Sequence, residues 1–342
     1  MKAVRFHSYG KSDVMRLEEA PDPKAAPGQV VIDLKAAGIN HLDVWNRKGI
    51  HGSRVPMPHI PGADGAGVVS ALGAGVTEVR LGDEVAISPG LSCGRCEMCL
   101  SGRDNFCPHY VILGTFVDGT YAEKVAVPVQ NLLPKPPGLS FVEAASLPLV
   151  LVTAWSMLRS LADLKAGETL LVVGGTSGVG SMAVQIGKYL GARVIATAST
   201  PKLHALEALE PDEIVDHATE DIRLRVGEIT HRRGVDVVFE HVGKAVWDAC
   251  LKSLSPGGRL VTCGATTGHE AMTDLRYVFQ RQLKIMGDYM GSKGELLDAW
   301  KLVFEGRLRP IVDRTFDLAE AGRAQDEMDE RRVRGKLVLT IS

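Results

Sequence analysis

The sequence of 342 residues has no long apolar run, no strong excess of acidic or basic residues, and no N-terminal segment that resembles a signal peptide. A membrane-spanning helix needs about 20 consecutive apolar residues, and no run approaches that length. Residues 1–6 alternate as in a strand and have no apolar core of a signal peptide, which predicts a cytoplasmic location. The formal net charge of −2 excludes the strongly basic surface expected of a protein that binds nucleic acid or an anionic membrane.

Cysteine is scarce outside one short loop. Cys250 and Cys263 stand alone and are expected to be buried core thiols, whereas the other four of the six cysteines lie within residues 93–107. Their spacing is C-x2-C-x2-C-x7-C, and four thiolates close a tetrahedral shell without leaving an open position. We therefore predict one structural Zn²⁺ per chain, bound by Cys93, Cys96, Cys99 and Cys107.

The pattern of strands and turns changes along the chain. Residues 1–130 combine short strand-like runs with frequent glycine and proline turns, which predicts a mainly-β domain that carries the zinc lobe. From Thr169 strands alternate with helices, which predicts a doubly wound, parallel α/β domain of the Rossmann type over residues 131–303. The strand-like residues 304–342 are expected to return to the first domain. The predicted strands of the second domain are residues 169–173, 193–197, 213–216, 235–239, 259–263 and 283–286.

A glycine-rich turn at residues 174–180 lies between the first of these strands and a helix. In that position glycines allow a tight turn and let a pyrophosphate approach the helix N-terminus, although the same glycines could simply form a structural turn. We predict a nicotinamide dinucleotide here. The residues expected to bind it are Gly175, Ser177, Gly178, Val179 and Gly180.

The end of the next strand lacks the acid that would bind the ribose 2′-hydroxyl of NAD. Ala198 stands at that position, and Ser199, Thr200 and Lys202 follow. Without the carboxylate a 2′-phosphate is not repelled, and the hydroxyls and the ammonium could bind it. This pattern predicts NADP(H), with a solvated Lys202 as the alternative interpretation.

The combination resembles the zinc-type alcohol dehydrogenase family, the medium-chain dehydrogenases/reductases. The resemblance covers the whole chain and includes the motifs at residues 62–69, 81–85 and 256–259 as well as the zinc lobe and the nucleotide loop. It implies a GroES-like β domain, a Rossmann domain and hydride transfer between the nicotinamide and a small-molecule substrate. It also implies a homodimer or homotetramer, formed by pairing Rossmann sheets at the strand that follows Leu283.

The positions that match the catalytic zinc ligands of this family hold other residues. Asn40 stands at the first thiolate position, residues 63–64 read Ala-Asp where the family has His-Glu, and Leu149 matches the remaining thiolate. One carboxylate cannot hold a catalytic zinc in that geometry. The pattern of Asn40 and Asp43 is similar to the quinone-reductase and enoyl-reductase branches, which work without a catalytic metal and usually with NADPH.

These observations predict an NADPH-dependent reductase of quinones or α,β-unsaturated carbonyls. One alternative is an alcohol dehydrogenase whose displaced zinc is held by some of His41, Asp43, His59 and Asp64. Another is a protein that binds NADPH as a sensor, without turnover. The reductase and the alcohol dehydrogenase differ in metal content, because the reductase requires one zinc per chain and the alcohol dehydrogenase requires two.

Three residues are candidates for the catalytic site. Asn40 is expected to hydrogen-bond the substrate or the nicotinamide ribose, or else to cap its own turn. Asp43 is expected to orient a neighbouring side chain or the backbone rather than to act as a base. By resemblance, Thr153 should contact the nicotinamide, and the alternative is a threonine packed in a cleft.

Overall fold

The computed structural model describes residues 1–50 and 55–342. Its strands are β1 (Lys2–Arg5), β2 (Arg16–Glu19), β3 (Gln29–Gly38), β4 (Asp64–Leu72), β5 (Glu84–Ile87), β6 (Gly90–Leu91), β7 (Val111–Ile112), β8 (Lys124–Pro128), β9 (Leu132–Pro134), β10 (Thr169–Val172), β11 (Arg193–Ala198), β12 (Glu213–Asp216), β13 (Val235–Glu240), β14 (Leu254–Thr262), β15 (Lys284–Gly287), β16 (Val312–Asp317) and β17 (Lys336–Thr340).

The α-helices are α1 (His41–Lys48), α2 (Glu97–Leu100), α3 (Phe141–Ala145), α4 (Pro148–Trp155), α5 (Gly178–Tyr189), α6 (Leu203–Glu207), α7 (Ile222–Ile229), α8 (Trp247–Ser253), α9 (Leu275–Arg281), α10 (Lys293–Phe304) and α11 (Ala321–Asp329). Within the described residues, none of these helices has both the length and the apolar character that a membrane span requires.

The chain divides into two compact units. The first comprises residues 1–149, 292–298 and 310–342, and the second comprises residues 150–291 and 299–309. α3 belongs to the first unit, whereas the predicted second domain begins at residue 131. A Cβ added at Gly38 of β3 would lie 2.3 Å from the carbonyl oxygen of Ala145, so the end of α3 packs directly on the β3 backbone.

The first unit is built around a seven-stranded sheet in the order β16-β17-β3-β4-β5-β9, with β8 also paired to β3. β4 runs antiparallel along one edge of β3, and β8 and β17 share its other edge. The β17 register places Val338 opposite Gly38, so the C-terminal segment lies beside the residues that lead into α1. This arrangement confirms the predicted mainly-β domain.

The second unit contains a six-stranded sheet in the order β12-β11-β10-β13-β14-β15, and all its pairings are parallel. The central strands are apolar and buried on both faces, as expected for a sheet covered by helices on each side. Chain order reverses beside β10, and at such a switch point the carboxyl ends of the strands form a ligand-binding crevice. The predicted Rossmann sheet is confirmed, with strand ends that differ by a few residues from the predicted ones.

Candidate active site

The glycine-rich turn connects β10 to the first turn of α5. Gly174 has a φ of +68°, and a Cβ at Gly180 would lie 2.2 Å from the Gly174 carbonyl oxygen, so both positions require glycine. The Ser177 hydroxyl accepts a hydrogen bond from the Gly180 N–H at 2.9 Å and caps the helix. The first N–H groups of a helix lack partners within the helix, so residues Gly178 and Val179 can donate to a pyrophosphate. This cradle fits the predicted dinucleotide.

His241 contacts the same turn and was not anticipated from the sequence. Its Nε2 lies 3.1 Å from the Ser177 Oγ, and burial lowers the pKa of the imidazole. The preceding residue, Glu240, is fully buried and accepts hydrogen bonds from the N–H groups of Val242 and Gly243, which fixes the loop that carries His241. A sequence signal existed, since His241 follows a predicted parallel strand at its carboxyl end.

The segment after β11 contains the predicted 2′-phosphate ligands Ser199, Thr200 and Lys202. The Thr200 hydroxyl donates to the Asp216 carboxylate at 2.5 Å, and this bond is the main cause of the lowered pKa of Asp216. Burial lowers the pKa of the adjacent His217, and the positive charge of Lys202 lowers it further. The end of β11 therefore has both the Asp216 carboxylate and the Lys202 ammonium near it, and sequence reasoning missed the carboxylate because it comes from the neighbouring strand β12.

The four cysteines of the first unit converge. Their sulfur atoms all lie within 4.8 Å of one another, with 3.9 Å between Cys93 and Cys99 and 3.5 Å between Cys96 and Cys99. Tetrahedral Zn–S bonds of about 2.3 Å place sulfurs about 3.8 Å apart, so the cluster fits one Zn²⁺. The backbone N–H groups of Cys93 and His109 point at the Cys107 sulfur, at 3.5 and 3.4 Å, as expected around a thiolate.

Asn40 and Asp43 lie at the start of α1, both buried. The Asp43 Oδ2 accepts the Asn40 backbone N–H at 2.8 Å and the Tyr121 hydroxyl at 3.1 Å, whereas its Oδ1 has no hydrogen-bond partner among the described residues. Burial raises the pKa of Asp43 to about 7. Asp43 therefore holds both the backbone N–H of Asn40 and the Tyr121 hydroxyl.

The Asn40 side chain is part of the capping box at the start of α1 and also joins a buried polar group. Its Nδ2 donates to the Asp64 Oδ2 at 2.9 Å, and its Oδ1 accepts from the Lys336 Nζ at 2.5 Å. Lys336 also donates to the Asp64 Oδ2 at 3.2 Å. The other carboxylate oxygen of Asp64 accepts the Leu149 N–H at 2.9 Å. Three of the positions that match the family's metal ligands, Asn40, Asp64 and Leu149, thus meet here.

Lys336 was not identified as a site residue from the sequence. It begins β17, directly after Gly335, whose φ is +83°, and it is only 4% exposed. Lysine is almost never fully buried unless it is paired, so a lysine in an otherwise apolar strand was an available signal. Its partners could not be read from the sequence, because they lie 272 and 296 residues away.

The remaining candidates have other surroundings. Thr153 is a buried residue of α4 and belongs to the second unit. The His59 Nε2 hydrogen-bonds the Gly114 carbonyl at 2.9 Å, and burial lowers the pKa of the imidazole, as expected of a structural histidine. Within residues 1–50 and 55–342, the four cysteines are the one group of His, Cys, Asp and Glu side chains suited to a metal ion.

Comparison with known proteins agrees with this architecture. The alcohol dehydrogenase GroES-like domain matches residues 26–137, and the zinc-binding dehydrogenase domain matches residues 178–305. A crystal structure of an NAD-dependent alcohol dehydrogenase superposes with a TM-score of 0.97 at 45% identity, over 100% of both chains.

Two curated relatives carry names of reductases. A quinone oxidoreductase of Pseudomonas aeruginosa is 29% identical and covers 99% of each chain. An acryloyl-coenzyme A reductase of Sulfurisphaera tokodaii is 29% identical, over 96% of this chain and 97% of the relative. From its two domains, its cluster of four cysteines and its full-length relatives, this chain belongs to the zinc-type alcohol dehydrogenase family, the medium-chain dehydrogenases/reductases, and is an oxidoreductase.

Proposed function

We propose that the protein is an NADPH-dependent reductase of quinones or α,β-unsaturated carbonyls that works without a catalytic metal. The observation that carries this proposal is the Lys336 ammonium, which is hydrogen-bonded to both Asn40 and Asp64. These two residues match metal-ligand positions of the family. The ammonium of Lys336, which is part of the chain, already compensates the negative charge of the Asp64 carboxylate. A divalent ion at the same place would meet the repulsion of a buried ammonium.

The choice of substrate class follows from the charge that develops during reduction. A bound nicotinamide supplies a hydride, and the acceptor oxygen gains negative charge as the hydride arrives. Alcohol and ketone chemistry in this family depends on zinc as a Lewis acid for that oxygen. A quinone or a conjugated carbonyl spreads the charge over several atoms and needs less assistance. Relatives named as a quinone oxidoreductase and an acryloyl-coenzyme A reductase support this choice.

A panel of matched acceptors tests the proposal. Enzyme with one zinc per chain by elemental analysis is assayed for NADPH oxidation with benzoquinone, 2-cyclohexenone and its saturated counterpart cyclohexanone. We expect turnover of the first two and little turnover of cyclohexanone. Reduction of cyclohexanone that requires a second equivalent of zinc would instead establish the displaced-zinc alcohol dehydrogenase. Nicotinamide binding without turnover of any acceptor would identify a sensor.

The cofactor preference is the finer part of the proposal. The absence of an acid at Ala198 and the presence of Lys202 favour a 2′-phosphate, whereas Asp216, bonded to Thr200, opposes it. We expect NADPH to bind more tightly than NADH, by a modest factor of about tenfold, because the opposing charges partly cancel. Equal or tighter binding of NADH in a direct titration would reverse this assignment.

We also propose a homodimer or homotetramer that forms at the β15 edge of the second unit. β15 pairs with β14 and ends the sheet order, and an uncovered sheet edge favours pairing with another chain. In α9, the helix that precedes β15 in the chain, Leu275 and Phe279 are 71% and 66% exposed. Light scattering should give a mass of at least two chains. Phe279→Asp should lower that mass, whereas Leu224→Asp, which replaces a 65% exposed leucine on α7, should not.

The location proposed for the protein is the cytoplasm. All six cysteines are free of disulfides in the structure. A reducing compartment keeps four clustered thiols available for zinc, whereas an oxidising one favours their pairing.

A further inference from the structure

His241 and Ser177 make a side-chain contact beside the glycine-rich turn, and both belong to the second unit. The His241 Nε2 lies 3.1 Å from the Ser177 Oγ, which is within hydrogen-bond distance. The ring also packs on the turn itself, because a Cβ added at Gly174 would lie 3.2 Å from both its Cε1 and its Nε2. The imidazole is therefore held against the backbone that we expect to receive a pyrophosphate.

The Ser177 hydroxyl can serve only a few partners at once. A hydroxyl has one proton to donate and two lone pairs that accept. One lone pair already accepts the Gly180 N–H at 2.9 Å, the bond that caps α5. If the His241 Nε2 carries no proton, its contact with Ser177 uses the hydroxyl proton. If Nε2 is protonated, it donates to the second lone pair, and the hydroxyl proton is available to another acceptor.

The cofactor is the acceptor that this proton can reach. Ser177 is the N-cap of α5, so its hydroxyl lies at the helix end whose first N–H groups can bind an anion. A pyrophosphate is negatively charged, and its oxygens accept hydrogen bonds. The protonated state of His241 therefore offers the cofactor one more donor and a positive charge, whereas the neutral state offers neither.

We propose that His241 controls the binding of the dinucleotide through Ser177. Without cofactor, the neutral imidazole accepts the Ser177 hydroxyl proton. When the pyrophosphate binds, His241 takes up one proton from solvent, its Nε2–H donates to the Ser177 Oγ, and the hydroxyl donates to a phosphate oxygen. His241 is a positioning residue, because it acts on the cofactor through Ser177. The inference rests on the dinucleotide proposed at this turn and is independent of the choice of acceptor.

The surroundings of His241 favour this change of charge. Burial lowers the pKa of the imidazole from its usual value, so the ring is neutral at neutral pH without cofactor. The negative charge of Glu240 and the nearby backbone of Gly174 and Val173 act in the opposite direction. A pyrophosphate adds negative charge beside the ring, and a nearby opposite charge favours the charged form of histidine. Binding of the cofactor therefore raises the affinity of His241 for a proton.

Other ionisable residues lie on the segments next to the ring. Glu240 is buried and accepts the Val242 and Gly243 N–H groups and, at 2.8 Å, the Thr262 hydroxyl. Cys263 stays a neutral thiol, because burial and the negative charges of Asp288 and Glu240 raise its pKa. Lys244 is exposed, and residues 178–181 in the first turn of α5 include no acid. Among these groups, the imidazole is the one suited to change charge near neutral pH.

A second histidine approaches the turn from the end of β12. The His217 Nδ1 lies 3.3 Å from the Thr197 Oγ1, and that oxygen accepts the Gly174 N–H at 3.1 Å. Thr197 therefore separates His217 from the turn, whereas His241 contacts Ser177 directly. Burial lowers the pKa of His217 as well, so His217→Gln is the matched control for His241→Gln.

Proton uptake on cofactor binding tests the proposal. NADH is the probe, because it carries the pyrophosphate without the 2′-phosphate, a group that itself titrates at a pH of about 6. Calorimetry in phosphate and in Tris, which differ in heat of ionisation, gives the number of protons bound. Near pH 7.5 we expect about half to one proton per site in wild type and in His217→Gln, and close to none in His241→Gln. Equal uptake in wild type and His241→Gln, or none in wild type, would overturn the proposal.

The pH dependence of NADH affinity gives a second test. A group whose pKa rises on binding favours the complex at low pH, so wild-type affinity should fall by about tenfold between about pH 6.5 and pH 8.5. Glutamine at position 241 offers Ser177 an N–H that does not titrate, so the affinity of His241→Gln should vary by less than about twofold over this range. Ser177→Ala should also lose the dependence, and Ser177→Thr should keep it. A purely structural His241 would instead lower affinity equally at every pH.

Nuclear magnetic resonance of nitrogen-15 histidine shows the protonation state of the ring directly. We expect one protonated ring nitrogen of His241 without cofactor and two with NADH bound, near pH 7.5. If His241→Gln does not fold, His241→Asn replaces it, and the wild-type spectra need no variant. NADH binding with His241 neutral in the complex would refute the role of His241 alone. Failure of both NADH and NADPH to bind wild type would refute the dinucleotide site and this inference together.

Discussion

Asp43 gives the prediction with the best-defined magnitude. Burial raises the pKa of its carboxyl from 3.8 to about 7, and the Oδ1 has no hydrogen-bond partner among the described residues. In the unfolded chain the group loses its proton near pH 4, whereas in the folded chain it keeps the proton until about pH 7. Folding therefore takes up one proton in this window, and the contribution of Asp43 to stability falls as the pH rises through it.

The size of the effect follows from the two pKa values. Each unit of pKa difference corresponds to about 1.4 kcal/mol, so a rise from 3.8 to about 7 amounts to roughly 4 kcal/mol in the free energy of unfolding. Asp43→Asn keeps a similar shape without the ionisation. The difference in free energy of unfolding between wild type and Asp43→Asn should change by that amount between about pH 4 and pH 7, and it should be flat above pH 7.

Urea unfolding at a series of pH values measures this difference. Subtracting the variant cancels the contributions of other groups, such as His59, whose lowered pKa acts in the opposite direction. Infrared spectroscopy at pH 5 should show one protonated carboxyl band in wild type that is missing in Asp43→Asn. Tyr121→Phe, which removes the hydroxyl 3.1 Å from Asp43, should extend the window upward. A difference that is independent of pH would show that the carboxyl stays ionised, and the reasoning from burial would fail.

Three further predictions concern the metal and cofactor sites. Cys107→Ser should lose the zinc and melt at a lower temperature, because such a site contributes on the order of 10 kcal/mol locally; equal zinc content and melting temperature would contradict it. Ser177→Ala removes the helix cap and the hydrogen bond to His241, which together contribute about 1–2 kcal/mol. This variant should therefore bind NADPH several-fold more weakly, whereas Ser177→Thr should bind NADPH as tightly as the wild type. Lys202→Ala should weaken NADPH binding by about tenfold and leave NADH binding unchanged, and Asp216→Asn should strengthen NADPH binding; equal effects on both cofactors would refute a role at the 2′-phosphate.

Local sequence patterns were sufficient for the fold and the zinc lobe. Residues 170–172 of β10 are apolar because the strand is buried on both faces, and Gly174 and Gly180 after it are required by a positive φ and by a close backbone approach, respectively. The four cysteines lie within one loop, so their spacing alone indicates a tetrahedral site. In each case the residues that determine the structure are neighbours in the chain.

The polar contacts between distant segments were beyond sequence reasoning. Lys336 meets Asn40 because β17 pairs with β3, and that pairing joins residues almost 300 positions apart. Asp216 reaches Thr200 because β12 lies beside β11. A lysine in a strand and an aspartate at the end of a strand are common residues, and their importance depends on which strands the sheet makes adjacent.

The positive charge beside Asn40 and Asp64 has a different origin from that of a metal centre. An ammonium at Lys336 is made with the polypeptide, so it cannot be removed by a chelator, exchanged for another ion or lost when the metal supply is low. A reagent that acylates amines would remove this charge. Lys336 is only 4% exposed, so its burial protects it from such reagents. The zinc predicted for the four-cysteine cluster has to be acquired by the folded chain, whereas the positive charge beside Asn40 and Asp64 is a side chain of the polypeptide itself.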